Sequence, residues 1–439
     1  MTYSKWLKEK LLSIIEEMNR VPWLFARDPS KDFTRVKRWS LAAVIRFIIS
    51  MEGKAVRDEL LEYFDYRKDT PTNSSFNQRR AQILPEAFEY VFHEFNNISY
   101  TEKLYCGYRL LACDGSDLCI AHNPEDKTTY FQSVPDTKGF NQMHLNALYD
   151  LQNRTYADAV IQPARQQNEA AALRTMVDRY KGVTKTLFIA DRGYENYNVF
   201  AHVQEKGMYY LIRAKDILSN GIVSASKAQL PRDQDSFDAP VRVILTNKQT
   251  KEIHDNPDKY RIVMTNQHFD YLSQYQHFYE MNFRVVRFMI SEGSFECIIT
   301  NLPQEDFSSD AIKELYHMRW GIETSFRELK YAVGLTNFHA KKVDYIAQEI
   351  WARMILYNFC ESITTRIVQR QSKRKRKYIY QINYTRAIHI CHYFFSARKK
   401  APPNLENLIR KELLPVRPGR SDPRKVITRS AVSFLYRVA

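Results

Sequence analysis

The order of extended and helical segments between residues 105 and 215 restricts the fold of this chain more than any other feature. Three extended segments come first, and two helix–strand pairs follow them. The apolar stretches are YRLLACDGSDLCIA, HLNALYDLQN, TYADAVIQPA, TLFIA and YYLIRAK. This β-β-β-α-β-α-β order predicts a mixed α/β sheet. We expect a tight turn at residues 114–117 inside the first segment, and a hairpin around Asn153–Arg154 between the second and third.

Two acidic residues directly follow apolar strands. Asp114 comes after LLAC, and Asp191 comes after LFIA. Ligand-binding and catalytic groups favour strand ends in α/β sheets, although either residue alone is also typical of a turn or a helix cap. Asp117 lies three residues beyond Asp114. We prefer Asp114 as the functional acid because it follows the apolar run directly, and we assign Asp117 a supporting role.

A third acid lies on a segment, residues 315–330, that the sequence predicts to be one helix. On a wheel of about 100° per residue, a single strip carries a phenol, three cations and one carboxylate. These residues are Tyr316, Arg319, Glu323, Arg327 and Lys330. One interpretation is a surface ion-pair face. The other is that Glu323 binds a metal while the cations and the phenol hold phosphate oxygens.

The charge of the chain favours a polyanionic partner. There are 65 Lys and Arg against 50 Asp and Glu, a formal net charge of +15. An acidic membrane surface is the alternative, but no lipidation motif supports it, and the longest apolar run, 41–51, is too short to span a bilayer. None of the six cysteines forms a CxxC pair, so we expect no zinc site and a reducing, cytoplasmic location.

Composition and periodicity divide the chain into five regions. We predict a helical N-terminal DNA-binding domain (1–100), a first part of a catalytic core (101–215), a β-rich insertion (216–294), a second part of the core (295–345) and a helical C-terminal dimerisation and DNA-contacting region (346–439). In the first region, the helix that carries Arg79 and Arg80 is expected to contact DNA. In the last, the basic cluster 373–377 and the Arg-rich tail 415–425 are typical of solvated or phosphate-binding segments.

Three acids without histidine or cysteine suit Mg²⁺ or Mn²⁺, because these ions prefer hard oxygen ligands. Asp114, Asp191 and Glu323 are therefore the candidate metal ligands and catalytic residues. Two ions about 4 Å apart would clamp the attacking and leaving oxygens of a phosphodiester displacement. Tyr316, Arg319 and Lys330, with Arg327 beside them, would position DNA phosphates.

With these residues in place, the chain resembles the bacterial insertion-sequence DDE transposases of the Y-x2-R-x3-E-x6-K group. Tyr316, Arg319, Glu323 and Lys330 match every spacing of that motif. The DG of CDGSD and the DRGY at Asp191 look like the first two acids of the family. The resemblance covers the whole chain in order.

The resemblance implies an RNase H-like catalytic core with a β-rich insertion, flanked by helical N- and C-terminal domains. It implies two divalent ions per active site and cut-and-paste transposition by hydrolysis, a DNA hairpin and strand transfer. It implies double-stranded DNA partners, namely terminal inverted repeats and target DNA, a homodimer in the DNA complex and a nucleoid-associated location. Related enzymes use an aromatic residue of the insertion to stabilise a flipped base. Here Phe295 is the nearest candidate.

Three other functions remain open from the sequence. An RNase H-like nuclease without strand transfer would share all three acids but would need no paired DNA ends. A non-catalytic DNA-binding protein would use the acids structurally, although the matched motif spacing argues against it. An enzyme acting on an acidic small molecule leaves the charge of +15 unexplained.

Overall fold

The structure is a computed structural model that describes residues 2–35, 38–99, 103–132, 138–264, 268–371, 380–396 and 404–415. The predicted basic cluster 373–377, and the Arg-rich tail beyond Pro415, lie outside the described residues. In the described ranges, no helix combines the length and the apolar character needed to cross a membrane.

Helices dominate both ends of the chain. The helices are α1 (Tyr3–Arg20), α2 (Leu41–Ser50), α3 (Val56–Tyr63), α4 (Asn73–Arg80), α5 (Glu86–Ser99), α6 (Glu169–Arg179), α7 (Tyr197–Glu205), α8 (Ile222–Ala225), α9 (Lys251–Asp255), α10 (Ser309–Met318), α11 (Trp320–Tyr331), α12 (Val343–Gln371), α13 (Tyr384–Ser396) and α14 (Leu405–Lys411). Their beginnings follow the capping residues of the sequence. Thr72 caps α4 and Ser308 caps α10, each accepting a hydrogen bond from a backbone N–H of the first turn.

The strands lie mainly between these helical ends. They are β1 (Arg109–Ile120), β2 (Tyr130–Phe131), β3 (Phe140–Asp150), β4 (Thr155–Pro163), β5 (Thr186–Ala190), β6 (Tyr209–Ala214), β7 (Phe237–Thr246), β8 (Tyr260–Ile262), β9 (Phe278–Ser291), β10 (Ser294–Thr300), β11 (Tyr380–Ile382) and β12 (Leu413–Pro415). All but the last two belong to one sheet of ten strands.

The core of the sheet has the order β4-β3-β1-β5-β6. Strand β3 runs antiparallel to its neighbours β1 and β4, and β5 and β6 run parallel to β1. This arrangement is that of the RNase H-like fold, and it confirms the predicted mixed α/β class. All five residues of β5 are buried, as expected for a central parallel strand covered on both faces.

The predicted turn at residues 114–117 is wrong. Strand β1 continues through Asp114 and Asp117 without interruption, and both residues pair with β3. The long hydrogen-bonded partner strand on one side outweighs the local turn preference of the sequence DGSD. Asp114 is therefore a mid-strand residue. It lies where the shorter neighbour β5 has just ended, because Cys113 pairs with Ala190.

The region after β6 extends the same sheet. Strands β10, β9, β7 and β8 follow β6 in that order, so the β-rich segment adds strands to the core edge. The pairing of β10 with β6 brings the chain back beside the core just before α10. This return places the predicted motif helix over the sheet.

The N- and C-terminal helices share one hydrophobic cluster, which also includes residues of β1, β3 and α11. A buried ion pair joins them, because Arg80 of α4 lies 2.8 Å from Glu349 of α12 and both side chains are 2% exposed. Arg80 also donates to Gln348 at 2.9 Å. Arg80 is therefore not available to DNA, and DNA contact by the rest of α4 stays a prediction. The Arg80 guanidinium is occupied inside the protein, and the structure leaves it no access to a phosphate.

Candidate functional site

Asp114 and Asp191 lie at the place where β5 ends beside β1. The parallel pairing of Cys113 with Ala190 places each acid one residue beyond this pair, Asp114 within β1 and Asp191 directly after the end of β5. Asp191 also begins a short 3-10 helix, Arg192–Tyr194, and accepts a hydrogen bond from the Arg192 N–H at 2.6 Å. The register of β1 and β5, and not a loop, thus fixes the spacing of the two acids.

The motif segment consists of two consecutive helices and not the single helix predicted. Helix α10 ends at Met318, α11 begins at Trp320, and Arg319 lies at the junction with right-handed helical backbone angles. The Arg319 N–H bonds the Tyr316 carbonyl, and the Arg319 carbonyl accepts from Ile322, so both bonds span three residues. Such bonding tightens the helix at that point. The predicted apolar stripe nevertheless packs inward: Leu315, Ile322, Phe326 and Leu329 are buried, and Met318 is partly buried.

Arg319 joins two of the three acids. Its Nη1 atom lies 3.2 Å from Asp114 Oδ2, and its Nη2 atom lies 2.8 Å from Glu323 Oε1. The Arg319 side chain is 4% exposed, whereas those of Asp114 and Glu323 are 23% and 35% exposed. A charge buried to this extent requires such partners. The guanidinium therefore occupies the space between the first strand acid and the helix acid.

Asp191, the remaining acid, contacts a phenol and a second arginine. The Tyr316 hydroxyl donates to Asp191 Oδ1 at 3.4 Å, and Arg213 of β6 approaches the same oxygen at 3.5 Å. Arg213 also pairs with Glu296 of β10 at 3.4 Å. Burial raises the pKa of Tyr316 to about 12, so this phenol remains a hydrogen-bond donor. The structure thus gathers Asp114, Asp191 and Glu323 around one set of hydrogen-bonding side chains.

The three carboxylates influence one another electrostatically. Burial raises the pKa of Asp114 to about 6, Arg319 opposes that rise, and the charges of Glu323 and Asp191 add to it. As the side chains stand, no three acidic, histidine or cysteine groups in the described ranges surround one point as metal ligands do. The reason is visible in the geometry, since the Arg319 guanidinium separates two of them. Asp114 and Glu323 both contact this guanidinium, and their carboxylate oxygens are of the kind that Mg²⁺ and Mn²⁺ prefer.

The other predicted residues occupy different positions. Lys330 Nζ donates to the Asp117 carbonyl at 2.8 Å, beside strand β1. Arg327 is exposed on α11. Phe295 packs its ring 3.8 Å from the Arg287 guanidinium, which Asp216 holds through both its oxygens. The Phe295 ring is therefore covered on one face by a fixed cation.

The sequence interpretation missed several residues near the acids. Arg213 and Glu296 are charged residues within otherwise apolar strands, a signal that was present in YYLIRAK and FECIITNL. Trp320 follows Arg319 directly and is 48% exposed, with the Arg319 guanidinium 5.6 Å from its ring. An exposed tryptophan at the start of α11 offers a flat apolar surface beside the site.

Comparison with protein families shows the class to which the chain belongs. The order and directions of strands β4, β3, β1, β5 and β6 make this an RNase H-like protein. Residues 105–359 match the Transposase DDE domain family, and the chain belongs to that family. It is therefore a DDE transposase, and DNA is its partner.

Two further comparisons complete these findings. A cryo-EM structure of a piggyBac transposase synaptic complex with hairpin DNA is similar at a TM-score of 0.46 and 8% sequence identity, over 94% of this chain and 84% of that one. Comparison with curated protein sequences gives no match.

Proposed function

We propose that the protein is a bacterial insertion-sequence transposase of the Y-x2-R-x3-E-x6-K group, which cuts DNA at terminal inverted repeats and joins the ends to target DNA. One observation carries the proposal. Arg319 connects Asp114 with Glu323 while Tyr316 bonds Asp191, so the motif helices and both acid-bearing strands meet at one place. The net charge of +15 suits a DNA substrate.

The proposed metal ligands are Asp114, Asp191 and Glu323, holding two Mg²⁺ or Mn²⁺ ions per active site. Strand pairing fixes the backbone beside the first two acids, and the first turn of α11 carries the third. Bound divalent ions would activate the attacking oxygen and offset charge on the phosphate. The place held by the Arg319 guanidinium supports this assignment, because two of the three carboxylates already stabilise a cation there.

The cations of the motif are proposed to hold DNA phosphates. The flat guanidinium of Arg319 can exchange its two carboxylate partners for two phosphate oxygens, which match it equally well. Lys330 and the exposed Arg327 follow along α11, so they would contact phosphates further from the cut. The Tyr316 hydroxyl, protonated across the physiological pH range, would donate a hydrogen bond at the reacting phosphate.

Hairpin formation requires a surface for an unstacked base, and we propose Trp320 for it in preference to Phe295. Trp320 is about half exposed next to Arg319, whereas the ring of Phe295 packs against Arg287. Stacking on an accessible aromatic ring contributes about 1–3 kcal/mol per base.

The remaining steps of transposition concern the assembly. We propose a homodimer in the DNA complex, because cutting and joining two transposon ends requires two active sites held together. The helical C-terminal region would contribute to pairing, and the protein would act on the nucleoid in the bacterial cytoplasm.

A cleavage assay on the DNA that flanks the gene tests this function. Wild type with Mg²⁺ should cut at the element ends and join them to a target plasmid. Asp114→Asn, Asp191→Asn and Glu323→Gln should each abolish cutting and retain end binding. Glu314→Gln, which changes an exposed acid of α10, is the matched control and should cut normally.

Other results would indicate another function. Nicking without joining would indicate a nuclease that only hydrolyses. End binding without cutting by any variant would indicate a non-catalytic DNA-binding protein. Normal cutting by all three acid variants would show that the metal assignment is wrong.

A further inference from the structure

A fourth acid, Glu169, lies beside the active site in a cluster with His144 and Asp117, which we call the Glu169 cluster. His144 Nδ1 is 2.7 Å from Asp117 Oδ1, and His144 Nε2 is 3.5 Å from Glu169 Oε1. The His144 side chain is 6% exposed, and its Nε2 atom is buried without a hydrogen-bond partner within the described part of the chain. Most buried polar atoms have a hydrogen-bond partner, so an unpartnered ring nitrogen beside a carboxylate requires an explanation.

The ring of His144 carries a positive charge at neutral pH. Burial alone would lower its pKa, but the contacts with Asp117 and Glu169 outweigh burial and raise the pKa to about 9. The imidazolium is thus held between two carboxylates. Lys330 reaches the same cluster through the Asp117 carbonyl.

Glu169 touches both backbone segments that carry the strand acids. A Cβ atom added to Gly115 would lie 2.7 Å from Glu169 Oε1, and one added to Gly193 would lie 2.5 Å from Glu169 Oε2. Gly115 follows Asp114 directly, and Gly193 comes two residues after Asp191. Each oxygen of one carboxylate therefore rests on a different acid-bearing segment. At Gly115 the added Cβ atom would also lie 2.5 Å from His144 Nε2, so a side chain at either glycine would force Glu169 or His144 to shift.

Glu169 lies in the first turn of α6, where an acidic residue is favourable, but this position on the helix does not require the side chain to reach Gly115 and Gly193. Helix α6 is already capped, because the Asn168 side chain accepts from the Ala171 N–H. The Glu169 side chain is 35% exposed, so its own packing does not require this position. Its placement between Gly115 and Gly193 is consequently the feature that needs an explanation.

We propose that Glu169 is a positioning residue of the transposase active site. With the His144 imidazolium as its ion-pair partner at 3.5 Å, its carboxylate sets the separation of the segments that carry Asp114 and Asp191. The proposal rests on the proposed function, because it assumes that these acids act together. Residues that orient metal ligands from behind typically change metal affinity or activity by roughly 10- to 100-fold when they are replaced.

The test compares the full-length wild type with Glu169→Gln, which keeps the shape and removes the charge. Steady-state cleavage of a flanking-DNA duplex gives kcat and KM, Mn²⁺ titration by electron paramagnetic resonance without DNA gives metal affinity, and a thermal melt gives stability. We expect kcat to fall by roughly 10- to 100-fold and Mn²⁺ binding to weaken by about tenfold, with KM within about twofold of wild type.

The matched control is Asp178→Asn. Asp178 lies at the other end of α6 and holds His202 at 2.7 Å, so it forms the same kind of pair away from the site. It should lower the melting temperature while leaving kcat and Mn²⁺ affinity unchanged. A second variant, Gly193→Ala, should lower kcat through its clash with Glu169, and combining it with Glu169→Ala should cost less than the sum of the two single effects.

The outcomes separate this proposal from the function on which it rests. Loss of cleavage in Asp114→Asn together with wild-type kcat and Mn²⁺ affinity in Glu169→Gln would overturn the positioning role alone. Equal losses of kcat in Glu169→Gln and Asp178→Asn would reduce Glu169 to a structural residue. Complete loss of Mn²⁺ binding in Glu169→Gln would make it a direct ligand instead. Normal cleavage by Asp114→Asn would overturn the proposed function.

Discussion

Replacing Arg319 with alanine should tighten the binding of a divalent ion while impairing DNA cleavage. The guanidinium lies 3.2 Å from Asp114 and 2.8 Å from Glu323, and the side chain is 4% exposed. An ion that uses both carboxylates must therefore displace the guanidinium from both. Since Arg319 is also proposed to hold a phosphate, its loss should slow cutting although the metal binds better.

The contacts set the size of the effect. Each is a charge-assisted hydrogen bond contributing about 1.5–3 kcal/mol net. Breaking both contacts costs roughly 3–6 kcal/mol, and the free energy that the guanidinium regains through hydration is subtracted from this cost. Even a remainder of about 1.4 kcal/mol corresponds to a tenfold change in affinity. We therefore expect Arg319→Ala to bind Mn²⁺ at least about tenfold more tightly than wild type.

The assay is Mn²⁺ titration of the full chain without DNA at pH 8, followed by electron paramagnetic resonance. Arg327→Ala removes an exposed arginine from the same helix and serves as the matched control, with unchanged affinity expected. If Arg319→Ala binds Mn²⁺ no more tightly than wild type, while Asp114→Asn weakens binding, the metal site stands and the competition between guanidinium and ion is refuted.

Further predictions concern stability and DNA handling. Arg80→Ala should lower the free energy of unfolding in urea by about 3–5 kcal/mol, because it leaves Glu349 buried without its partner; a loss below 1 kcal/mol would contradict the buried pair. The raised pKa of His144 should stabilise the fold fully below pH 6.5, and this contribution of about 2–3 kcal/mol should fade as the pH rises towards 9; denaturation at pH 6 and 9 should show no such fading in His144→Gln. Trp320→Ala should reduce hairpin formation more than Phe295→Ala, measured with 2-aminopurine near the cut, and equal effects would reject the assignment.

The order of elements was predictable because each depends on short-range patterns. Apolar runs predicted β1, β5 and β6, and the hairpin of β3 and β4 forms around Asn153–Arg154 as expected. The turn at residues 114–117 failed because strand pairing over the length of β3 outweighs a local preference. Long-range pairing of this kind cannot be read from four residues.

The Glu169 cluster was not predictable for a related reason. Asp117 and His144 are opposite each other in the register of β1 and β3, and Glu169 arrives from a helix after β4. No spacing along the chain connects these residues, since the contact exists only once the sheet and α6 have assembled. The glycines that admit Glu169 appear in the sequence as ordinary members of DGS and DRGY.

The strip of polar residues from Tyr316 to Lys330 shows most clearly what the fold adds to the sequence. A helical wheel places Arg319 and Arg327 on the same strip and cannot distinguish them, because it shows only the angle of each residue around the helix axis. In the folded protein Arg319 lies at the junction of α10 and α11, nearly buried between Asp114 and Glu323, whereas Arg327 faces solvent. A buried cation held by two acids must be exchanged for another positive charge if those acids are to separate from it, but an exposed cation is free of that constraint. The two arginines therefore have different proposed roles, one coupled to the metal site and the other confined to the DNA backbone.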